Sequence, residues 1–325
     1  MASYSRILGS TTSALFLAAA FLTMGCGSEQ LSEDNEDNQV GMGLPPVDAD
    51  ENAVPESNGL PLQRFRTPPP TTEELAADRA IVEQFQAEAK ARSSEKQGSP
   101  PSSAVGNGTI IVYVHVINKG PTVADGNITD NKIYKQMVAL NQAFNSKTGW
   151  AFYNSVTDRT TNPTWYTACP GSSAEIAMKT ALHKGDASTL NLYITQCSLG
   201  FLGWSTRPEQ YFNNPTMDGV VISNLTLPGG AAPFDQGKSA VHEVGRWLGL
   251  YNTFENGCGN PGDSVSDTPA SKSPTYGCPS SRDSCSSSGN DPIHNYMDFT
   301  DDACMWEFTP GQAARIDSMW TIYRY

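Results

Sequence analysis

The chain has 325 residues, 38% of them hydrophobic, and a formal net charge of −13. That length suits one large domain or two small ones, and the apolar share can supply a core. The negative balance argues against a nucleic-acid partner and against electrostatic docking on an anionic membrane surface.

Residues 1–25 read as an export signal: Arg6, an apolar run over residues 14–22, then small residues, too short to span a bilayer comfortably. The signal ends at Gly25-Cys26. This resembles a bacterial lipoprotein signal, in which Cys26 is lipidated after cleavage, although Leu22 stands one place earlier than that pattern puts it. An ordinary secretory signal is the alternative. Residues 26–63 carry nine Asp or Glu and no Lys or Arg, the composition of a disordered tether. Residues 64–105 hold one helix and a linker. Thr71 or Thr72 caps the helix, and Leu75, Ile81, Val82 and Phe85 form its apolar stripe. Lys, Arg, Ser and Pro then end it.

The compact domain is expected over 106–325. "TIIVYVHVIN" reads as a strand. "NKIYKQMVALNQAFN" has helical spacing at Ile133, Met137, Leu140 and Phe144. "WAFYNSVTDRT" is a strand, "SAEIAMKTALH" a helix, and "TLNLYITQC" and "DGVVISNLTL" two more strands. A helix follows at about residues 239–251, and a last one spans about residues 310–323. Between them the chain is rich in Gly, Pro, Ser, Asp and Cys, so cross-links or calcium must hold what apolar burial cannot. Setting Cys26 aside leaves six cysteines, an even set that reads as three disulfides in an exported chain. None lies in a C-x-x-C unit, which argues against a zinc ribbon.

Chemistry concentrates in "AVHEVGRWLGLYN". His242-Glu243-x-x-Arg246-x-x-Gly249-x-x-Asn252 has the spacing of an extended zinc-protease helix. Positions 242 and 246 share one helix face and would grip one ion. Glu243 would be the general base on metal-bound water, Gly249 would turn the chain, and position 252 would return to the metal.

This stretch resembles the pappalysin-type metzincin metalloproteases (the pregnancy-associated plasma protein-A, ulilysin and cytophagalysin group). So do "VYVHVIN", "LNLYITQCSLGFLGWST", "GDSVSDTPA" and "DPIHNYMDFTDDACMWEFTPGQAARI". The resemblance implies an α/β (α+β) fold of two lobes. A twisted mixed sheet with helices above it forms the upper lobe. A loop-rich, disulfide-bonded lower lobe carries a Met-turn, here with Met297, and substrate lies in the cleft between. It also implies pairing of Cys258 with Cys285 and Cys278 with Cys304, which leaves Cys169 for Cys197. Zinc is the family cofactor, and a loop with Asp263 and Asp267 implies calcium. The helix within 64–105 becomes prosegment-like. The resemblance also implies that the region of Asp301 and Asp302, which in active relatives helps shape the pocket after the scissile bond, borders the cleft.

The departures fall on the chemistry. Arg246 replaces a ligand histidine and has no lone pair to offer. Asn252 replaces the third ligand with a poorer donor. Phe299 stands where a Met-turn Tyr would donate to the oxyanion. Phe65-Arg66-Thr67 replaces a zinc-capping Cys-Gly-Thr upstream. These losses point to a zinc-free pseudoprotease whose cleft binds a peptide or protein, with the membrane reached only through a lipid anchor. Two alternatives stand beside it: an active zinc metalloendopeptidase with unconventional ligands and Glu243 as base, and a regulator or decoy of a related protease. On the pseudoprotease reading Glu243 is vestigial and pairs with Arg246 at i,i+3. His242 is then a groove histidine, His294 holds the Met-turn loop, His115 is structural, and His183 lies on a helix surface.

Overall fold

The computed structural model describes residues 70–95 and 108–325. The expected export signal, Cys26, the acidic tether, the Phe65-Arg66-Thr67 stretch and most of the linker lie outside the described residues. The chain begins with α1 (Thr72–Glu95), whose cap forms as expected: Thr71 Oγ1 accepts from Glu74 N–H, and the Glu74 carboxylate accepts from Thr71 N–H.

Next come β1 (Thr109–Asn118), α2 (Asp130–Thr148), β2 (Ala151–Thr161), α3 (Pro163–Tyr166) and α4 (Ser173–Leu182). They are followed by β3 (Thr189–Thr195), β4 (Gly203–Ser205), β5 (Val220–Ser223), α5 (Lys238–Trp247) and α6 (Pro310–Tyr323). The sheet has the order β2-β1-β3-β5-β4; β4 runs antiparallel to β5 and every other pair is parallel. It is therefore the mixed sheet expected. Each element carries its own warrant. Thr129 caps α2 and Gly149 ends it in a left-handed conformation. On β3 all seven residues are buried, as a central parallel strand requires.

The larger core lies on the face of the sheet covered by α2 and α5. It joins Val112, Val114 and Leu192 to Met137, Leu140, Phe144, Val241, Val244 and Trp247. A second core under α3 and α4 holds Ile117, Tyr166, Met178, Tyr193 and Val221. Asp218, just before β5, ties α5 to the chain's end. It accepts from Trp247 Nε1–H at 2.9 Å and pairs with the buried Arg324 at 2.9 Å.

Two expectations need correction. The motif helix ends at Trp247, not at residue 251, because Gly249 turns out of it at φ +95°. The "DGVVISNLTL" strand shortens to four residues, after which Ser223 caps a single tight turn. From Asn252 to the start of α6 the chain is loop, with one short 3-10 turn at Asp302–Cys304. Three disulfides form, Cys169 with Cys197, Cys258 with Cys285 and Cys278 with Cys304, the pairs expected.

Candidate active site

Helix α5 starts at Gly237, which adopts a left-handed conformation and has no capping side chain. Asp302 supplies what is missing: its Oδ2 accepts the N–H groups of Gln236 at 2.9 Å and Lys238 at 3.2 Å. A buried carboxylate at a helix N-terminus also suits the helix dipole. The sequence placed Asp302 in a region that shapes the pocket of active relatives; in the structure its carboxylate anchors the motif helix.

His242 is fully buried, and its Nδ1–H donates to Tyr296 O at 2.8 Å. A carbonyl can only accept, so this bond fixes the tautomer and leaves the lone pair on Nε2. The ring lies 5.5 Å from Phe299, which in turn is 4.8 Å from Phe254. Phe299 keeps an aromatic wall beside His242 and carries no hydroxyl. Glu243 is fully buried, and its Oε2 accepts from Ser205 Oγ–H on β4 at 2.5 Å. Gly203 permits that approach, since a Cβ there would sit 3.2 Å from Glu243 Cγ.

Arg246 is 1% exposed. Its nearest carboxylate oxygen is Glu255 Oε2, 4.0 Å from Nη1, and none of its three nitrogens has a hydrogen-bond acceptor among the described residues. Burial holds its pKa below the usual arginine range, against the pull of Glu243 and Glu255. Asn252 Nδ2–H donates to the same Glu255 oxygen at 3.3 Å, and Glu255 N–H donates to Asn252 O. One carboxylate thus gathers both replaced ligand positions. Burial raises the Glu255 pKa, opposed chiefly by Arg246. Glu243 bonds to Ser205, and its charge, expected to pair with Arg246, offsets the burial of that guanidinium more than the charge of Glu255 does. Glu255 was missed by sequence reasoning. The one available signal was an acid three residues after a ligand position.

Met297 lies fully buried beneath α5. A Cβ on Gly245 would stand 2.6 Å from its sulfur, so the glycine lets the Met-turn close on the helix. His294 holds that turn as expected, with Nδ1–H donating to Cys304 O at 2.8 Å and the ring stacked on Trp306 at 3.6 Å. His115 is structural, lodged between Asp158 and Asn191. His183 is half-buried rather than on the surface, and burial lowers its pKa. Asp263 and Asp267 have separate tasks. Asp263 accepts from Val265 N–H and contacts the Thr268 hydroxyl, and burial pushes its pKa up to about 7. Asp267 accepts from Thr309 Oγ1–H and Gly311 N–H at the start of α6.

Zinc is the metal that the fold implies, and its fit can be judged from the donors. His242 offers one imidazole, the second ligand position holds a buried guanidinium, and the third an amide whose Nδ2–H donates to Glu255 and whose Oδ1, a weak donor to zinc, has no hydrogen-bond partner among the described residues. Among the described residues no group of three His, Cys, Asp or Glu side chains stands together to hold a metal ion. These side chains do not make the three-donor set of a protease zinc.

The fold and motif have clear relatives. The family model described as pregnancy-associated plasma protein-A matches residues 191–321. An extracellular metalloprotease of Verticillium alfalfae is 50% identical over 221 residues, covering 66% of this chain and 76% of the relative. One from Pyricularia oryzae is 43% identical over 260 residues, covering 79% and 88%. Among solved structures, Tannerella forsythia mature mirolysin in complex with a cleaved peptide superposes with a TM-score of 0.55 at 26% identity, covering 65% of this chain and 91% of that one. A point mutant of Tannerella forsythia promirolysin gives 0.60 at 27%, covering 78% and 90%. On this agreement of motif, fold and sequence, the chain belongs to the pappalysin family of metzincin metalloproteases.

Proposed function

We propose that this chain is an exported, zinc-free member of its family whose cleft binds a peptide or protein without cleaving it. The observation that carries this reading is Arg246, buried at a ligand position and drawn with Asn252 to Glu255. Structural zinc sites draw roughly 10–16 kcal/mol of apparent binding free energy from good donors. A guanidinium about 4 Å from a dication instead opposes binding by roughly 8 kcal/mol at an effective dielectric near 20. Export is supported by the relatives' description as extracellular and by the signal-like start of the chain. On this reading lipid at Cys26 anchors the domain, and residues 64–105 correspond to a prosegment. The wider coverage by promirolysin than by the mature form supports that correspondence.

The test is zinc stoichiometry and peptide cleavage on protein purified without added metal. The expected result is no stoichiometric zinc and no cleavage. Arg246→His alone recovers weak zinc binding at best. The triple change Arg246→His, Asn252→His, Phe299→Tyr recovers zinc, because Gly249 and Met297 still shape the site. The second reading, an active metalloendopeptidase, is favoured by the retained His242 and Glu243 and by relatives described as metalloproteases. Wild-type protein that holds one zinc, and loses proteolysis on Glu243→Ala, establishes that reading instead.

A further inference from the structure

Helix α1 presents Glu74, Leu75, Asp78 and Val82 on one face, at the three- and four-residue spacing of helical neighbours. Leu75 and Val82 are buried, and Asp78 is only 6% exposed. Asp78 Oδ2 accepts from Tyr251 Oη–H at 3.2 Å and forms an ion pair with Arg315 of α6. Arg315 is itself 3% exposed; its Nε–H donates to Gly249 O at 2.8 Å, and its guanidinium lies 4.7 Å from the Tyr251 ring centre. Among the described residues Asp78 is the one carboxylate in an ion pair with Arg315. A turn further up the helix, Glu74 pairs with the buried Arg207 at 3.4 Å.

These contacts form one connected path from α1 to the turn that follows α5. Gly249 and Tyr251 lie on that turn, and the next residue is Asn252, the third ligand position. We infer that α1 is a resident clamp of the cleft: Asp78, acting through Arg315, holds residues 249–252 in place. The helix then cannot be discarded without reshaping the site. Physical reasons favour permanence. Removing α1 strips a buried guanidinium of its carboxylate, and such a charge is costly to leave unpaired. It also uncovers the apolar surface that Leu75 and Val82 cover. Asp78 is a positioning residue in this scheme, and the inference holds whether or not zinc binds.

The test uses the full chain carrying a specific protease site within residues 96–107. After cleavage, the fragment bearing α1 is expected to co-elute with residues 108–325 on gel filtration, with Tm unchanged. In uncut protein, Asp78→Ala is expected to lower Tm by about 5 °C. It is also expected to speed hydrogen exchange at Gly249, Leu250 and Thr253 by about tenfold or more. The double variant Asp78→Ala, Arg315→Met removes the stranded charge. It should regain most of the Tm yet keep the fast exchange, because the bond to Gly249 O is gone; exchange as slow as in the unmodified protein would show that Arg315 does not hold the turn, and would overturn the clamp. The clamp is overturned if the cut α1 fragment leaves a domain of unchanged Tm and unchanged turn protection. It is equally overturned if Asp78→Ala alters neither quantity. The cleavage arm decides the matter if the single variant does not fold.

Discussion

At the scale of single residues, the carboxylates of Glu243 and Glu255 together make Arg246 tolerable. A fully buried guanidinium stays charged, so it depends on the two carboxylates that offset its burial, Glu243 and, at 4.0 Å, Glu255. Glu255→Ala is therefore expected to cost about 2–3 kcal/mol in urea unfolding, less than the roughly 3–5 kcal/mol of a fully stranded buried charge, because Glu243 remains. Arg246→Met combined with Glu255→Gln removes both charges and should restore most of the loss. A double variant as unstable as the single one would mean that the pair does not set the energy of the site. The two replaced ligands were legible from spacing alone, because the motif has a fixed geometry on a helix. Their new partner was not. The i,i+3 rule offered Glu243 to Arg246, and a straight helix allows that contact. What the rule could not supply is tertiary: β4 brings the Ser205 hydroxyl to Glu243, and the turn after Trp247 folds Glu255 back toward Arg246. Neither approach leaves a periodic trace in the chain.

At the scale of elements, the end of α5 shows why apolar periodicity overshoots. Trp247, Leu248, Leu250 and Tyr251 are all buried, so the pattern continues after the backbone has left the helix. The stop is set by Gly249 at φ +95°, where a Cβ would also lie 2.6 Å from Met319 Cγ. Gly249→Ala is thus expected to cost about 2–4 kcal/mol, combining left-handed strain with overpacking. A loss under about 1 kcal/mol would show that the turn relaxes freely. Strand β4 escaped notice for a simpler reason: three residues are too few for an alternation to register. Helix α6 supplies a pH test. Asp317 accepts from Trp150 Nε1–H at 2.9 Å, and burial raises its pKa to about 6, with the Trp150 bond pulling the other way. An acid whose folded pKa is raised contributes stability that is fully present below about pH 4 and lost as the pH climbs through about 6. Partly buried as Asp317 is, that contribution comes to roughly 1 kcal/mol after discounting for solvent. Asp317→Asn should flatten this part of the stability profile between about pH 4 and pH 8; an unchanged slope would assign it to other groups.

At the scale of the whole molecule, the two halves of the domain are held by different forces, and the composition already separated them. Up to Trp247, strands and helices alternate and share a continuous core. Over residues 253–292 the buried apolar side chains reduce to Val265 and the half-cystine Cys285. Polar contacts take over there: Arg282 donates to Ser273 O and Thr275 Oγ1 and pairs with Asp291 at 3.2 Å, and Asp291 accepts from Ser284. Which groups would meet was not legible, since loops follow no period; only the need for cross-links was. In the chain-entropy account, loops of 27 and 26 residues are each worth about 3.5 kcal/mol, so length does not distinguish the two lower-lobe disulfides. Their surroundings do. Cys258 is exposed and its bridge ties loop to loop. Cys304 is fully buried, lies between Asp302, which anchors α5, and Met305, which sits in the main core, and its carbonyl receives the His294 bond. Replacing Cys258 and Cys285 by Ser should therefore open residues 253–292 to hydrogen exchange while the sheet amides stay protected and Tm falls little. Replacing Cys278 and Cys304 should loosen the start of α5 and the Met-turn together, lowering Tm by clearly more. Equal Tm losses for the two pairs, or sheet amides that exchange as fast as the loops in the first variant, would mean that the domain unfolds as one unit and that the lower lobe draws its stability from the upper core after all.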